Sequence, residues 1–206
     1  AALGQGETII KLAACEPHVQ DLIKFLQALG ADIEGGGTHT LKIRGKNKLR
    51  GARHAIIPDQ IETGTFAVLA LATGSNLVIK NVRTDHLDSI LHLLRQAGAN
   101  FEARGNILEM KTRDGLRPFR YQAMPHPGLP TDLQAPFGVL ATQCGGTSLI
   151  HDPLYEGRLG YVAELVKMGA NAVVCDPHRV LISGPTPLYG TEIKSLDLRA
   201  GATLLI

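Results

Sequence analysis

Three copies of one phrase constrain this chain more than any other feature. Leu29-Gly30-Ala31-Asp32, Ala97-Gly98-Ala99-Asn100 and Met168-Gly169-Ala170-Asn171 set glycines 68 and then 71 residues apart. A glycine closing an apolar run suits the left-handed residue that ends a helix. Apolar residues at helical spacing precede each copy. They are Val19, Leu22, Ile23, Leu26 and Leu29 in the first, Leu87, Ile90, Leu91 and Leu94 in the second, and Tyr161, Val162, Leu165 and Val166 in the third. Short strand-like runs come before the helices at 8–10, 77–79 and 148–150. Two more follow each phrase, at 32–34 with 40–43, 101–102 with 107–110, and 172–174 with 180–182.

Each unit also opens with a helix, at 62–72, at 132–143 and from Leu198 onward, with Ala1-Ala2-Leu3 read as the tail of an earlier one. Connecting strands are expected at His54-Ala55-Ile56-Ile57 and Arg120-Tyr121-Gln122-Ala123. One unit reads helix–strand–helix–strand–strand. Repeats this long predict an α/β (α+β) architecture whose units pack on one another. The first residue is not Met, and the run 199–206 stops inside an apolar helical stretch. The chain therefore reads as an internal piece of a longer protein.

The 206 residues are 44% hydrophobic and 19% charged, a globular balance. Without Trp and with few aromatics, the core must be aliphatic. A net charge of +2 gives no argument for nucleic acid or a membrane surface, and no apolar run is long enough to span a bilayer. Cys15, Cys144 and Cys175 lie far apart, outside any C-x-x-C pattern. They read as buried, inert thiols in a reducing compartment, with no metal site or disulfide framework. No cluster of metal-ligand spacing is present, and no cofactor is implied. Gly35-Gly36-Gly37 lacks a following Lys-Ser/Thr and reads as a hairpin turn. Lys46-Asn47-Lys48-Leu49-Arg50 reads as a solvated basic loop.

The stretch His126-Pro127-Gly128-Leu129-Pro130-Thr131-Asp132-Leu133-Gln134-Ala135 holds the main chemical candidate. Its prolines and glycine stop regular structure, and a helix is expected to start at Thr131-Asp132. Thr131 and Gln134 have capping-box spacing, which would leave the Asp132 carboxylate free for a ligand or a proton. The competing reading is an acid placed for the helix dipole. Asp59-Gln60-Ile61-Glu62 offers a second capping-box spacing, and Glu62 reads as a capping acid. His126 reads as a structural histidine.

Four phrases in order carry a resemblance: 58–66 (Pro58-Asp59-Gln60-Ile61-Glu62-Thr63-Gly64-Thr65-Phe66), 125–135 beginning Pro125-His126, Tyr155-Glu156-Gly157-Arg158, and Leu196-Asp197-Leu198-Arg199-Ala200. With the repeats between them they resemble the MurA-type enolpyruvyl transferases, the UDP-N-acetylglucosamine 1-carboxyvinyltransferase family. The resemblance implies an inside-out α/β fold of two lobes, with helices inside each lobe. Residues 1–55 would end one lobe, and 56–206 would form most of the other, cut off in its last repeat. It implies transfer of enolpyruvyl from phosphoenolpyruvate to the 3-hydroxyl of UDP-N-acetylglucosamine with release of phosphate, the first committed step of peptidoglycan synthesis, in the cytoplasm. The implied partners are those two small molecules and the missing N-terminal part of the same chain.

The resemblance implies roles for particular residues. Asp132 would contact the acceptor hydroxyl and serve as base. Arg158 would act at the reacting phosphate, and Arg199 would be a cation for phosphoenolpyruvate. Leu154 would bind the acetamido group through its backbone. Asp197 would pair with an arginine and shape the closed state, or stand only as a helix-start acid, and Glu16 would line the cleft. Gln60, Leu129 and Gly157 depart from the family's usual Arg, Phe and Asn. The family's Lys-Asn pair and mobile Cys loop have no counterpart in these residues. Two alternatives stay open: a non-catalytic scaffold of the same repeats, and a shikimate-type enolpyruvyl transferase.

Overall fold

The computed structural model describes residues 1–112, 115–195 and 197–206. Leu196, in the last of the four phrases, lies outside the described residues. The chain divides into two compact units, Ala1–Asp59 and Gln60–Ile206.

In the first unit, β1 (Glu7–Lys11), α1 (Pro17–Ala28), β2 (Asp32–Glu34) and β3 (Thr40–Arg44) make one strand–helix–strand–strand repeat. β3 lies between β1 and β2 and is antiparallel to both, with Ile9 opposite Lys42 and Ile33 opposite Ile43. Ile23 of α1 is buried with Ala13, Ala31, Ile33, Leu41 and Ile43, an aliphatic core. The three glycines form the hairpin turn between β2 and β3, where the Thr38 hydroxyl donates to Gly35 O at 2.8 Å.

The second unit contains α2 (Gln60–Ala72), β4 (Leu77–Lys80), α3 (Asp88–Gln96), β5 (Asn100–Arg104) and β6 (Ile107–Lys111). It continues through β7 (Arg120–Gln122), α4 (Gln134–Ala141), β8 (Gly146–His151), α5 (Tyr161–Lys167), β9 (Asn171–Asp176), β10 (Arg179–Gly184) and α6 (Leu198–Thr203). The sheet order β4-β6-β5 repeats that of the first unit. The third copy, β8-β10-β9, carries β7 as a parallel neighbour of β8.

The repeated phrase closes all three outer helices in the same way. Gly30, Gly98 and Gly169 have φ of 98°, 82° and 106°, in the left-handed region. The next amide reaches back five residues, Ala31 to Leu26, Ala99 to Leu94 and Ala170 to Leu165, at 2.9, 2.9 and 3.0 Å. This is the Schellman closure that glycine permits.

Helices α2 and α4 are a different kind. Every residue of α4 is buried, as are Ile61, Ala67, Val68, Ala70 and Leu71 of α2. A helix that is apolar on all sides belongs in an interior. Helix α4 packs against α2, α5, α6, β8 and β10, so sheets enclose helices as the resemblance implies. Two glycines allow this close packing. A Cβ on Gly64 would stand 2.6 Å from Leu133 Cδ1, and one on Gly138 would collide with Tyr161 Oη.

Several expectations are corrected. Residues 54–57 form no strand, and Ile56 is 84% exposed, with no strand pairing it among the described residues. Residues 1–3 are a turn, closed by Gly4 N to Ala1 O at 2.9 Å, and not a helix tail. The helix expected from 132 begins at Gln134, after a 3-10 turn at Thr131–Leu133. Cys15 and Cys144 are buried, but Cys175 is exposed, on β9 at the edge of its sheet. Burial pushes the Cys144 thiol up to about 12, which makes it a poor nucleophile.

Candidate active site

The loop before Asp132 is pinned from several sides. Met124 N donates to Leu129 O at 2.9 Å and Gly128 N to Pro125 O at 2.8 Å. A Cβ on Gly128 would collide with Met124 Cβ, so the tight fold of this loop needs glycine there. The Ser89 hydroxyl reaches Gly128 O at 3.3 Å, and the buried Tyr121 hydroxyl donates to Pro130 O. Burial first, then the Asp152 carboxylate, raises the Tyr121 phenol well above its ordinary value, so it remains a donor.

This support fixes the 3-10 turn that carries Asp132. The capping box does not form there: no side chain caps this turn or the start of α4. The Thr131 hydroxyl instead donates to Asp152 Oδ2, 21 residues away, and accepts from Arg158 Nη1 at 3.0 Å. Gln134 is 2% exposed, and its Nε2 is buried with no hydrogen-bond partner. Nor is the Asp132 carboxylate free. Its Oδ1 accepts from Arg158 Nη1 at 3.0 Å, and its Oδ2 lies 3.6 Å from Arg199 Nε.

Arg158 comes from the turn between β8 and α5. The Asp152 carboxylate, 1% exposed, holds that turn by accepting Leu154 N at 3.0 Å. Gly157 has φ 76°, a conformation that glycine and asparagine accept most readily, so its departure from the family's Asn costs the turn nothing. The Arg158 guanidinium lies 4.6 Å from the centre of the Tyr155 ring. Arg199 is set by α6, whose N-cap is Asp197. That carboxylate accepts Arg199 N at 2.9 Å and Ala200 N at 3.0 Å. Asp197 is thus a helix cap, and its Oδ1 serves backbone amides.

Thr131, Asp132, Gln134, Ala135, Arg158, Asp197, Arg199 and Ala200 line an open cavity. Four sequence candidates meet there: Asp132, Arg158, Arg199 and Asp197. Leu154 is 40% exposed, does not line the cavity, and has its amide committed to Asp152. Glu16 belongs to the first unit, where it is the N-cap residue of α1 and caps through its backbone carbonyl. Glu62 is exposed in the first turn of α2, and His126 is half-buried outside the cavity lining. Sequence reasoning missed Asp152 and treated Thr131 only as a cap. The phrase Asp152-Pro153, a carboxylate fixed before a turn, was the available signal.

The side chains of Asp132 and Arg158 are each about one-third exposed, at 34% and 32%. A pair this exposed contributes about 1 kcal/mol or less to stability. Chemically, the cavity presents the Asp132 carboxylate between two guanidinium groups, with the capping Asp197 carboxylate also in its lining. That arrangement can accept a proton from a hydroxyl and hold an anion beside it.

The family model described as EPSP synthase (3-phosphoshikimate 1-carboxyvinyltransferase) matches residues 1–206. A UDP-N-acetylglucosamine 1-carboxyvinyltransferase of Deinococcus deserti is 45% identical over 100% of this chain and 48% of its own length. One from Koribacter versatilis is 41% identical over 100% of this chain and 47% of its own length. The chain spans about half the length of the curated relatives it matches. The crystal structure of the enolpyruvyl transferase NikO from Streptomyces tendae superposes with a TM-score of 0.89 at 29% identity, covering 99% of this chain and 49% of that one.

Proposed function

We propose, on the premise that this chain belongs to the EPSP synthase family, that it forms part of an enzyme moving enolpyruvyl from phosphoenolpyruvate to the 3-hydroxyl of UDP-N-acetylglucosamine. Relatives carrying that acceptor in their names, 41% and 45% identical across the whole chain, support the choice of substrate. One observation carries the chemistry: the Asp132 carboxylate between the Arg158 and Arg199 guanidinium groups at an open cavity. In this reading residues 1–55 end one lobe, and 56–206 make up most of the second. The enzyme works in the cytoplasm, at the entry to peptidoglycan synthesis.

The reaction adds an alcohol across the enol double bond, turning the methylene into a methyl, and then expels phosphate with loss of one methyl proton, which restores the double bond. Asp132 takes the proton of the acceptor hydroxyl as its oxygen bonds to the central carbon of phosphoenolpyruvate. Arg158 and Arg199 bind the phosphate and carboxylate, and they stabilise the negative charge on phosphate as it leaves. Leu154, whose amide is committed to Asp152, keeps its backbone carbonyl for the acetamido group, and Asp197 sets Arg199 by capping α6. The acid that protonates the methylene carbon is assigned to a part of the longer protein outside these residues.

Phosphate release by the full-length protein tests this reading. Release is expected with phosphoenolpyruvate and UDP-N-acetylglucosamine, and not when shikimate 3-phosphate replaces the sugar nucleotide. The isolated 206 residues should release none. Turnover with shikimate 3-phosphate alone would move the assignment to the other acceptor, and no turnover with either would favour a scaffold.

A further inference from the structure

The segments that carry Asp132 and Arg158 lie 26 residues apart, and one buried carboxylate joins them. Asp152 uses both oxygens. Oδ2 accepts the Thr131 hydroxyl, one residue before Asp132, and Oδ1 accepts Leu154 N in the turn that leads to Arg158. Backbone contacts anchor Asp152 itself: its N donates to His178 O at 2.8 Å, and His178 Nδ1 lies 2.8 Å from Asp152 O. A hydroxyl has one proton. With that proton directed to Asp152, only lone pairs of Thr131 face Arg158, whose Nη1 donates to them at 3.0 Å. The same Nη1 donates to Asp132 Oδ1 at 3.0 Å, so the guanidinium is held at two points.

We propose that Asp152 is a positioning residue which, through the Thr131 hydroxyl, fixes the Arg158 guanidinium against Asp132. It touches no substrate, and the inference rests on the enolpyruvyl-transfer reading above. Replacing the carboxylate by an amide tests the polarity directly. Asn at 152 keeps an acceptor for Leu154 N but can turn its NH2 toward Thr131. The hydroxyl proton is then turned away from residue 152 and competes with Arg158.

The experiment uses the full-length protein with phosphoenolpyruvate and UDP-N-acetylglucosamine. Asp152→Asn and Thr131→Val are each expected to lower kcat by roughly 10- to 100-fold, the scale of losing a supporting contact. KM for the sugar nucleotide should move by less than about threefold. Thr131→Ser, which keeps the hydroxyl, should recover most of what Thr131→Val loses. The double variant Asp152→Asn/Thr131→Val should be no slower than the worse single one, because both act through one relay. Unchanged kcat in Asp152→Asn, or effects that multiply, would overturn the proposal.

A second readout does not depend on turnover. Rotation of the Arg158 guanidinium, followed by NMR exchange of its Nη protons, should quicken in Asp152→Asn and Thr131→Val but not in Thr131→Ser. Unchanged rotation overturns the relay even in a protein without activity, whereas an inactive wild type with the expected rotation overturns only the assigned reaction.

Discussion

Two turns stand at the same place in successive repeats, and they spend their charges differently. The turn from β4 to α3 holds Arg83 and Asp85. Arg83 Nε and Nη2 clasp the Asp85 carboxylate at 3.0 and 2.7 Å, two residues along the chain, with side-chain exposures of 46% and 61%. The turn from β8 to α5 holds Asp152 and Arg158. Its carboxylate is buried, and its arginine reaches Asp132 from 26 residues away. The Arg83–Asp85 pair of the first turn is exposed, where water screens it. The second uses its charges to join separate segments at a cavity. The repeats thus share a common frame, while the reach of individual side chains decides which copy carries a site.

The largest expected effect falls on the second turn's partner. Asp132→Asn in the full-length protein should lower turnover by roughly 10²- to 10⁴-fold, the range for losing a general base. Melting should change little, since the ion pairs it loses are partly exposed. Asp132→Ala should be no faster. A wild-type rate in either variant would remove Asp132 from the chemistry.

A middle-sized effect concerns the frame that both turns share. Gly138→Ala forces a Cβ into Tyr161 Oη and should destabilise the protein by about 1–3 kcal/mol, the usual cost of overpacking. Adding Tyr161→Phe removes the oxygen in the way and should recover part of that loss. Denaturant midpoints of the wild type and these two variants measure it, and an unchanged midpoint in Gly138→Ala would show that α4 and α5 can separate.

The smallest effect falls on the first turn. The hydrogen bond from Arg83, the largest influence, holds the Asp85 carboxyl at about 2, below the ordinary 3.8. A depressed carboxylate stabilises the fold above its unfolded value and loses that contribution as pH falls through the folded one. The wild type should therefore exceed Asp85→Asn in stability at pH 5 and converge with it as pH approaches 2. Because this pair is exposed, the difference at pH 5 should stay within about 0.5 kcal/mol. A difference that grows on acidification would have the wrong sign for this account.

Much of the frame was legible in the sequence because its signals are local. The Gly30, Gly98 and Gly169 phrases predicted three helix ends, and each forms the same left-handed closure. The strands around them follow from short apolar runs. The misreadings came where a distant partner decided the outcome. Thr131 and Gln134 have capping spacing, yet Asp152 takes the Thr131 hydroxyl, an event no local pattern encodes. Residues 54–57 have strand composition, but a strand needs a neighbour, and none pairs them among the described residues. Asp132, Arg158, Arg199 and Asp197 were chosen largely through family phrases, and the fold brings all four to one cavity. Asp152 was passed over because its role depends on a contact across two segments.

One paired substitution tests the central contrast most directly. Arg83→Ala and Arg158→Ala remove an arginine from corresponding turns of two repeats, and phosphate release by each full-length variant can be measured under identical conditions. The account predicts a loss of roughly 100-fold or more for Arg158→Ala, as for removing a charge-stabilising donor. It predicts a change within about twofold for Arg83→Ala, a surface substitution. Equal losses in the two variants, or an unimpaired Arg158→Ala, would contradict it.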